Sequence, residues 1–562
     1  MQEPVIPVPA PGKGHPKGLA VLFSAEMWER FTFYGNRALL TLFLVHALNF
    51  TQEDSSIIYG GFLGMGWLTA MLGGYMADRY LGNRNCIIIG GLTMSFGQFL
   101  MFASAILYAT NVETARMIMW AALVVLILGN GFFKPNISSM VGQLYPKGDN
   151  RLDSAFTVFY MGINLGALLG ITICPILGDV KLNAGTPQEV RDVTAFKWGF
   201  LAASFAMLIG TTLFYLLKNK YVVSPEGKPV GTKPQKNAVV EGEAAQAHFT
   251  KKAVVATVIA LLLLMLFWNR VAGQNLLYSF IYSTGIALGG LILSDKSLTS
   301  VERQRIIVIY IVSFFVIFFW ACFEQAGSSL TFIADQQTDR RLFGWNMPPS
   351  LVQNAQSLTL IILALPISYL WLKLQKHNMD PISPVKQAIG LGLLALGYFI
   401  IAVQVKHLGN EKLGVIWFLV LYLFHTFGEL SVSPIGMSLV SKLAPKRFNS
   451  LLMGVFFLSN ASGYALAGTL GTLLPPTGEK YTIAAKNGID LPGILNGTVS
   501  LTNNLQEQLR ALKLPSAYPE FAGFTIHNLY EFFMLFVILP GVAAVLLFLL
   551  SGLLKKMMHG VR

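Results

Sequence analysis

Glu26-Met27-Trp28-Glu29-Arg30-Phe31-Thr32-Phe33-Tyr34-Gly35-Asn36-Arg37 is the stretch whose reading decides the fold. It sits inside a run from about Leu19 to Ala47 that is otherwise long and apolar enough to cross a bilayer. A charge at the centre of a spanning helix costs roughly 2.5–3.5 kcal/mol on insertion scales. Such residues persist where they face the protein interior and find partners. Glu26, Glu29 and Arg30 stand at i, i+3 and i+4, which is one helix face, and Arg37 lies two turns beyond Arg30 on that face. A polar stripe runs down an apolar helix.

The rest of the chain supplies the surroundings that such a stripe requires. Of 562 residues, 54% are hydrophobic and 12% charged, against about 25% charged in soluble domains. Mean hydropathy is +0.57. This composition describes an all-α polytopic membrane protein with the lipid bilayer as its solvent. The net charge of +13 is scattered over many short loops, a pattern that reports membrane orientation and excludes nucleic acid as a partner. Cys86, Cys174 and Cys322 are odd in number and lie in or beside apolar spans, which fits neither a disulfide framework nor a cysteine metal site. Met1 to Gly18 is rich in Pro and Gly and has no apolar core ending in a cleavage site, so the first span is expected to act as its own insertion signal.

Fourteen stretches have spanning length, grouped as six, two and six. The expected division is a first six-helix bundle over residues 1–217, a cytoplasmic linker over 218–253, two extra helices over 254–293, and a second bundle over 294–562. Lys and Arg favour the side that also holds both termini, which places the termini inside the cell. The segment at about 475–528 is then outside. With little amphipathic pattern, it reads as a loop with one short helix at Leu501–Leu512. One span is expected over Arg305–Ile333.

Beyond the first span, Lys134, Glu324 and Glu429 are ionisable residues in apolar surroundings, each with Gly or Pro nearby to permit close helix approach and local unwinding. The acids Glu26, Glu29, Glu324 and Glu429 outnumber the bases Arg30, Arg37 and Lys134 by one. Burial favours the protonated form of a carboxylate without a fixed cation, so the surplus group is a natural proton carrier. A zwitterionic substrate brings one charge of each sign and leaves that surplus intact, although a bound water or sodium ion would serve as well. His46 and His425 also lie in spans and read as packed or interfacial residues. Trp320 lies one turn before Glu324.

Gly74-Tyr75-Met76-Ala77-Asp78-Arg79-Tyr80-Leu81-Gly82 resembles the Gly-x-x-x-Asp-Arg-x-Gly signature of major facilitator transporters, with one extra residue before Gly82. Three further motifs resemble the proton-dependent oligopeptide transporters of that superfamily. They are Glu26-x-x-Glu29-Arg30-Phe31-x-Phe33-Tyr34-Gly35, Phe156-x-x-Phe159-Tyr160-x-Gly162-x-Asn164-x-Gly166, and Gly428-Glu429-Leu430-Ser431-x-Ser433-Pro434-x-Gly436. Lys134 and the run Phe319-Trp320…Glu324-Gln325 match in place, and the extra helix pair resembles the bacterial branch.

The resemblance implies a major facilitator fold, two six-helix bundles plus two extra helices, working as a monomer in the inner membrane. It implies proton-coupled symport of di- and tripeptides, with H+ as coupling ion and no cofactor. Glu429 would take the peptide's amino group, and Arg37 and Lys134 its carboxylate. Tyr34, Tyr160 and Asn164 would contact the backbone or termini, Trp320 would wall a side-chain pocket, and Ser433 belongs to the same substrate site. Glu26, Glu29, Arg30 and Glu324 would couple proton binding to the cycle. Alternating pairs, Arg37 with Glu324 and Lys134 with Glu429, are expected to close opposite sides. Some positions depart from the family pattern: Phe33 replaces one of two tyrosines, Gly60 stands where animal members carry histidine, and Trp67 and Phe456 replace a tyrosine and a tryptophan. Two other readings remain at this point. One is a carrier of nitrate or another small anion, against which the Lys134–Glu429 pair argues; the other is a non-transporting receptor using the 475–528 segment. No metal-ligand spacing, nucleophile elbow or phosphate loop marks an enzyme.

Overall fold

The structure is a computed structural model and describes residues 14–146, 149, 151–184, 186, 188–233, 249–406, 408 and 411–561. Residues 1–13 and residues 234–248 of the expected linker lie outside the described residues. Helices dominate. In chain order they are α1 (Lys17–His46), α2 (Gln52–Met76), α3 (Asn83–Leu107), α4 (Val112–Gln143), α5 (Leu152–Gly178), α6 (Phe196–Tyr221), α7 (Lys251–Arg270), α8 (Leu276–Leu293) and α9 (Ser300–Phe323). Then follow α10 (Ser329–Gln336), α11 (Asn354–Lys376), α12 (Ser383–Lys406), α13 (Ile416–Leu443), α14 (Asn449–Gly471), α15 (Gly478–Lys486), α16 (Leu491–Leu495), α17 (Asn503–Ala511) and α18 (Leu529–Met557). Among the described residues, 13 helical segments are long and apolar enough to cross a membrane. Helix α1 has the length, 30 residues, but carries Glu26, Glu29, Arg30 and Arg37, and with it the fourteen expected spans are present.

Packing divides the chain into two units. The first takes the described residues of Met1–Leu40, Met65–Leu182 and Val190–Glu241; the second takes those of Thr41–Gly64, Asn183–Glu189 and Gly242–Arg562. Helices α1 and α2 therefore contribute to both.

In the first unit glycines of α5, Gly166 of the motif and Gly170 one turn on, serve packing. A Cβ on Gly166 would lie 2.2 Å from the Met27 carbonyl oxygen, and one on Gly170 2.3 Å from that of Phe31. This small-residue stripe lets α5 lie directly on the backbone of α1 and fixes the face that carries the charges. Arg84, just after the signature loop, is buried. It donates to the carbonyls of Val222 and Val230, to Lys218 O at 3.1 Å and to Asn219 Oδ1 at 2.9 Å, which pins the end of α6.

In the second unit, helix ends follow their capping residues. Thr299 and Glu302 form a reciprocal box at the start of α9, and Glu302 is held from the other side by Arg447 at 2.9 Å. The expected single span over Arg305–Ile333 is interrupted: α9 stops at Phe323, Glu324–Gly327 form a 3-10 turn, and α10 starts at Ser329. Backbone carbonyls released by the break receive side-chain donors. Tyr398 Oη donates to Cys322 O (2.6 Å), Thr331 Oγ1 to Ala326 O (2.7 Å) and Thr41 Oγ1 to Gly327 O (2.9 Å), while Gln325 Nε2 reaches Ala321 O and Ala467 O (both 3.0 Å). Unwound backbone inside a membrane protein requires such replacement donors.

The extra helix α8 packs on α2 through Gly60. A Cβ there would lie 2.6 Å from Tyr278 Oη and 2.6 Å from the Tyr464 carbonyl oxygen. Tyr278 Oη donates instead to Ile57 O at 2.8 Å. Helix α7 has no buried residue.

The 475–528 segment is more ordered than its sequence suggests. Helices α15, α16 and α17 gather around a small apolar core of Ala484, Ile489, Leu491, Ile494, Leu495, Leu509 and Leu514, and a short hairpin pairs Glu520–Phe521 with Phe524–Thr525 further along. The expectation of one short helix without amphipathic pattern is too spare. Asn503–Ala511 does place Leu509 inward with polar residues outward, but nine residues are too few for the periodicity to stand out. Cys86, Cys174 and Cys322 are buried and unpaired as disulfides.

Candidate functional site

In the first unit the charged face of α1 forms one cluster. Arg30 donates through Nη2 to Glu29 Oε1 at 2.5 Å and through Nε to Glu29 Oε2, a fork-on-fork pair. The same Nε lies 3.4 Å from Glu26 Oε1. All three side chains are buried, and Glu26 Oε2 has no hydrogen-bond partner among the described residues. Two carboxylates therefore share one guanidinium, with Glu29 holding it closely and Glu26 loosely. Asn130 Nδ2, on α4, donates to Glu29 Oε1 at 3.5 Å. Asn130 escapes the sequence reading although it stands between Gly129 and Gly131 in an apolar span.

Further along α1, the Arg37 guanidinium lies 5.4 Å from the Tyr34 ring, and Tyr34 meets Phe33 edge-on at 5.4 Å. The Lys134 ammonium sits 3.4 Å above the Trp67 ring. A tyrosine would offer a hydroxyl at that position; the indole offers its face to the cation. On α5, Asn164 is buried and donates to the Tyr160 carbonyl oxygen at 2.9 Å, while the Tyr160 side chain is 39% exposed.

In the second unit Glu324 occupies the first position of the turn between α9 and α10, with only 3% of its surface exposed. Tyr59 Oη, on α2, donates to Glu324 Oε2 at 3.0 Å. Tyr59 does not stand out in the sequence, because a tyrosine in an apolar span carries no charge to betray a role. Trp320 is buried against Phe323 and Tyr464, with ring centroids 5.0 and 5.6 Å away. Glu429, half-buried on α13, accepts from Gln356 Nε2 of α11 at 3.1 Å. Ser433 lies one turn further along α13, also half-buried. His425 packs in a ring of Phe323, Tyr398 and Tyr422, and His46 Nε2 meets Asp335 at 3.0 Å.

Acids thus sit on spanning helices of both units, the bases Arg30, Arg37 and Lys134 on those of the first, and Glu324 stands where a span is broken. Helix breaks of this kind place backbone and side-chain groups at substrate and ion sites in secondary transporters.

Comparison with known proteins agrees. The model of the POT family matches residues 84–485. This chain belongs to the POT family. It is similar to an uncharacterised transporter, YclF, of Bacillus subtilis (32% identity, over 81% of this chain and 87% of that one). It is also similar to the peptide transporter YePEPT of Yersinia enterocolitica (31%, 82% and 88%) and to dipeptide and tripeptide permease B of Aliivibrio fischeri (27%, 81% and 86%). A crystal structure of a POT family transporter in complex with 5-aminolevulinic acid superposes with a TM-score of 0.71 at 26% identity, covering 97% of this chain and 98% of the other. The POT fold is the major facilitator type expected from the motifs, and these relatives are transporters rather than enzymes.

Proposed function

We propose that this chain carries di- and tripeptides across the cell membrane together with protons, by alternating access. The observation that carries the reading is Glu324, a buried carboxylate at the break of a spanning helix, hydrogen-bonded by Tyr59. The named relatives that transport peptides support the substrate class. In this reading Glu429 receives the peptide's amino group, Arg37 and Lys134 its carboxylate, and Trp320 walls a side-chain pocket. Tyr34, Tyr160, Asn164 and Ser433 complete the peptide contacts. Arg37 pairs with Glu324 in one state and Lys134 with Glu429 in the other, the two halves (residues 1–217 and 294–562) rocking around the peptide. The linker 218–253 and the helices of 254–293 join them. Glu26, shared loosely on the Arg30–Glu29 pair, and Glu324 are the proton carriers. The protein works as a monomer in the inner membrane with both termini cytoplasmic.

Uptake of a labelled dipeptide into proteoliposomes under an inward proton gradient tests this. Concentrative uptake that collapses with a protonophore and is lost in Glu429→Gln is the expected result. Glu324→Gln is expected to keep peptide exchange but lose concentration. A folded wild type that moves no dipeptide overturns the reading.

A further inference from the structure

Beside α9 the second unit has a half-open cavity of about 360 Å³, lined by none of the residues assigned to peptide or proton. Its walls come from α8, α9 and α14, and at one end the Trp268 and Tyr282 rings meet at 5.2 Å. Among the described residues no charged side chain lines it, so a peptide terminus has no partner there. The α14 wall from Val455 to Thr469 runs about 21 Å at the helical rise. Helix α8 leaves the slot open at Gly285, where a Cβ would have no atom within 4 Å.

Two hydroxyls give the slot a polar register. Tyr310 Oη and Ser313 Oγ, one turn apart on α9, are buried without a hydrogen-bond partner among the described residues, and the Ser313 residue is 4% exposed. Leaving a buried hydroxyl unmet costs about 1–3 kcal/mol, and both can donate to an acceptor entering the slot. Two turns before Tyr310, on the same face and near the start of α9, Arg303 is exposed, about 11 Å away along the axis. A cation two turns before the lining, donors within it and an apolar channel beyond follow the order of groups in a glycerophospholipid: phosphate, ester carbonyl, acyl chain.

We infer that this cavity is a binding slot for one acyl chain of a membrane glycerophospholipid. The phosphate lies at Arg303, the ester carbonyl accepts from Tyr310 and Ser313, and the chain follows α14 toward Trp268. The extra helices thereby acquire a role, since α8 forms one wall of the slot and Trp268 of α7 stands at its end. The inference rests on the membrane-spanning reading and is independent of the substrate.

Native mass spectrometry of the full chain, released from mild detergent, counts the phospholipids retained by the wild type, Gly285→Leu and Arg303→Gln. One phospholipid per wild-type chain is expected, with occupancy reduced at least about tenfold when leucine fills the slot and several-fold when the Arg303 cation is lost. Equal retention in wild type and Gly285→Leu overturns the inference, as does a detergent molecule in place of a phosphate-bearing adduct. A second readout does not depend on tolerance of the leucine. Phospholipids brominated along the acyl chain are expected to quench the emission that distinguishes wild type from Trp268→Phe, and no quenching of that difference overturns the proposal. Dipeptide uptake by the same preparations separates the two readings, since lipid retention without uptake leaves the slot standing while the transport reading falls.

Discussion

Tyr59→Phe removes one oxygen from the protein and with it the donor that Glu324 accepts. Leaving a buried carboxylate short of a donor costs about 1–3 kcal/mol. Proton-driven dipeptide uptake is expected to fall about tenfold, since each 1.4 kcal/mol is a decade in rate, while the variant still elutes as a folded protein. Uptake equal to wild type would remove Tyr59 from the machinery. The α1 cluster makes a second, sharper comparison. Glu29→Gln breaks the fork that holds Arg30 and leaves a buried charge poorly compensated, a change worth about 3–5 kcal/mol in favourable cases. Glu26→Gln leaves that fork intact. The melting temperature is therefore expected to drop clearly in Glu29→Gln and little in Glu26→Gln; equal drops would contradict the asymmetric sharing. Such ionisable residues are legible from sequence because burying charge is expensive and only a purpose keeps it there. Tyr59, Gln356 and Asn130 are neutral, cost little to bury, and leave no mark.

Among elements, α9 shows where hydropathy stops being informative. Its apolar run continues past Glu324, yet the helix ends at Phe323 because Tyr398, Thr331, Thr41 and Gln325 satisfy the carbonyls that the break releases. Three of those donors lie on other helices or further along the chain, so no local window contains the reason. The Gly327-Ser328-Ser329 run is the one local hint. Packing of α2 on α8 is similarly invisible to composition. Gly60 has no room for a side chain beside Tyr278 and Tyr464, and overpacking of this kind costs about 1–3 kcal/mol. Gly60→Val is expected to lower the melting temperature, and Gly60→His to lower it further rather than restore the animal pattern. A histidine variant as stable as wild type would show that the helices part readily.

For the whole molecule, the number and order of the spans are readable, since about twenty apolar residues in a row have few other uses. The 475–528 segment is not readable, because its core is assembled from a few residues each of several short elements. That local core predicts independence. Replacing residues 478–525 by a short Gly-Ser linker is expected to leave the spanning helices folded and proton-driven uptake within about threefold of wild type. Loss of uptake by a correctly eluting deletion variant would instead tie the segment to transport, through the Lys480–Glu53 pair at 3.4 Å for example. One further property belongs to the molecule as it stands. Its three thiols are buried among the helices, out of reach of maleimides and spin labels. The native chain is thus a ready-made silent background: a cysteine placed on each half reports distances through the transport cycle, with no native residue first engineered away.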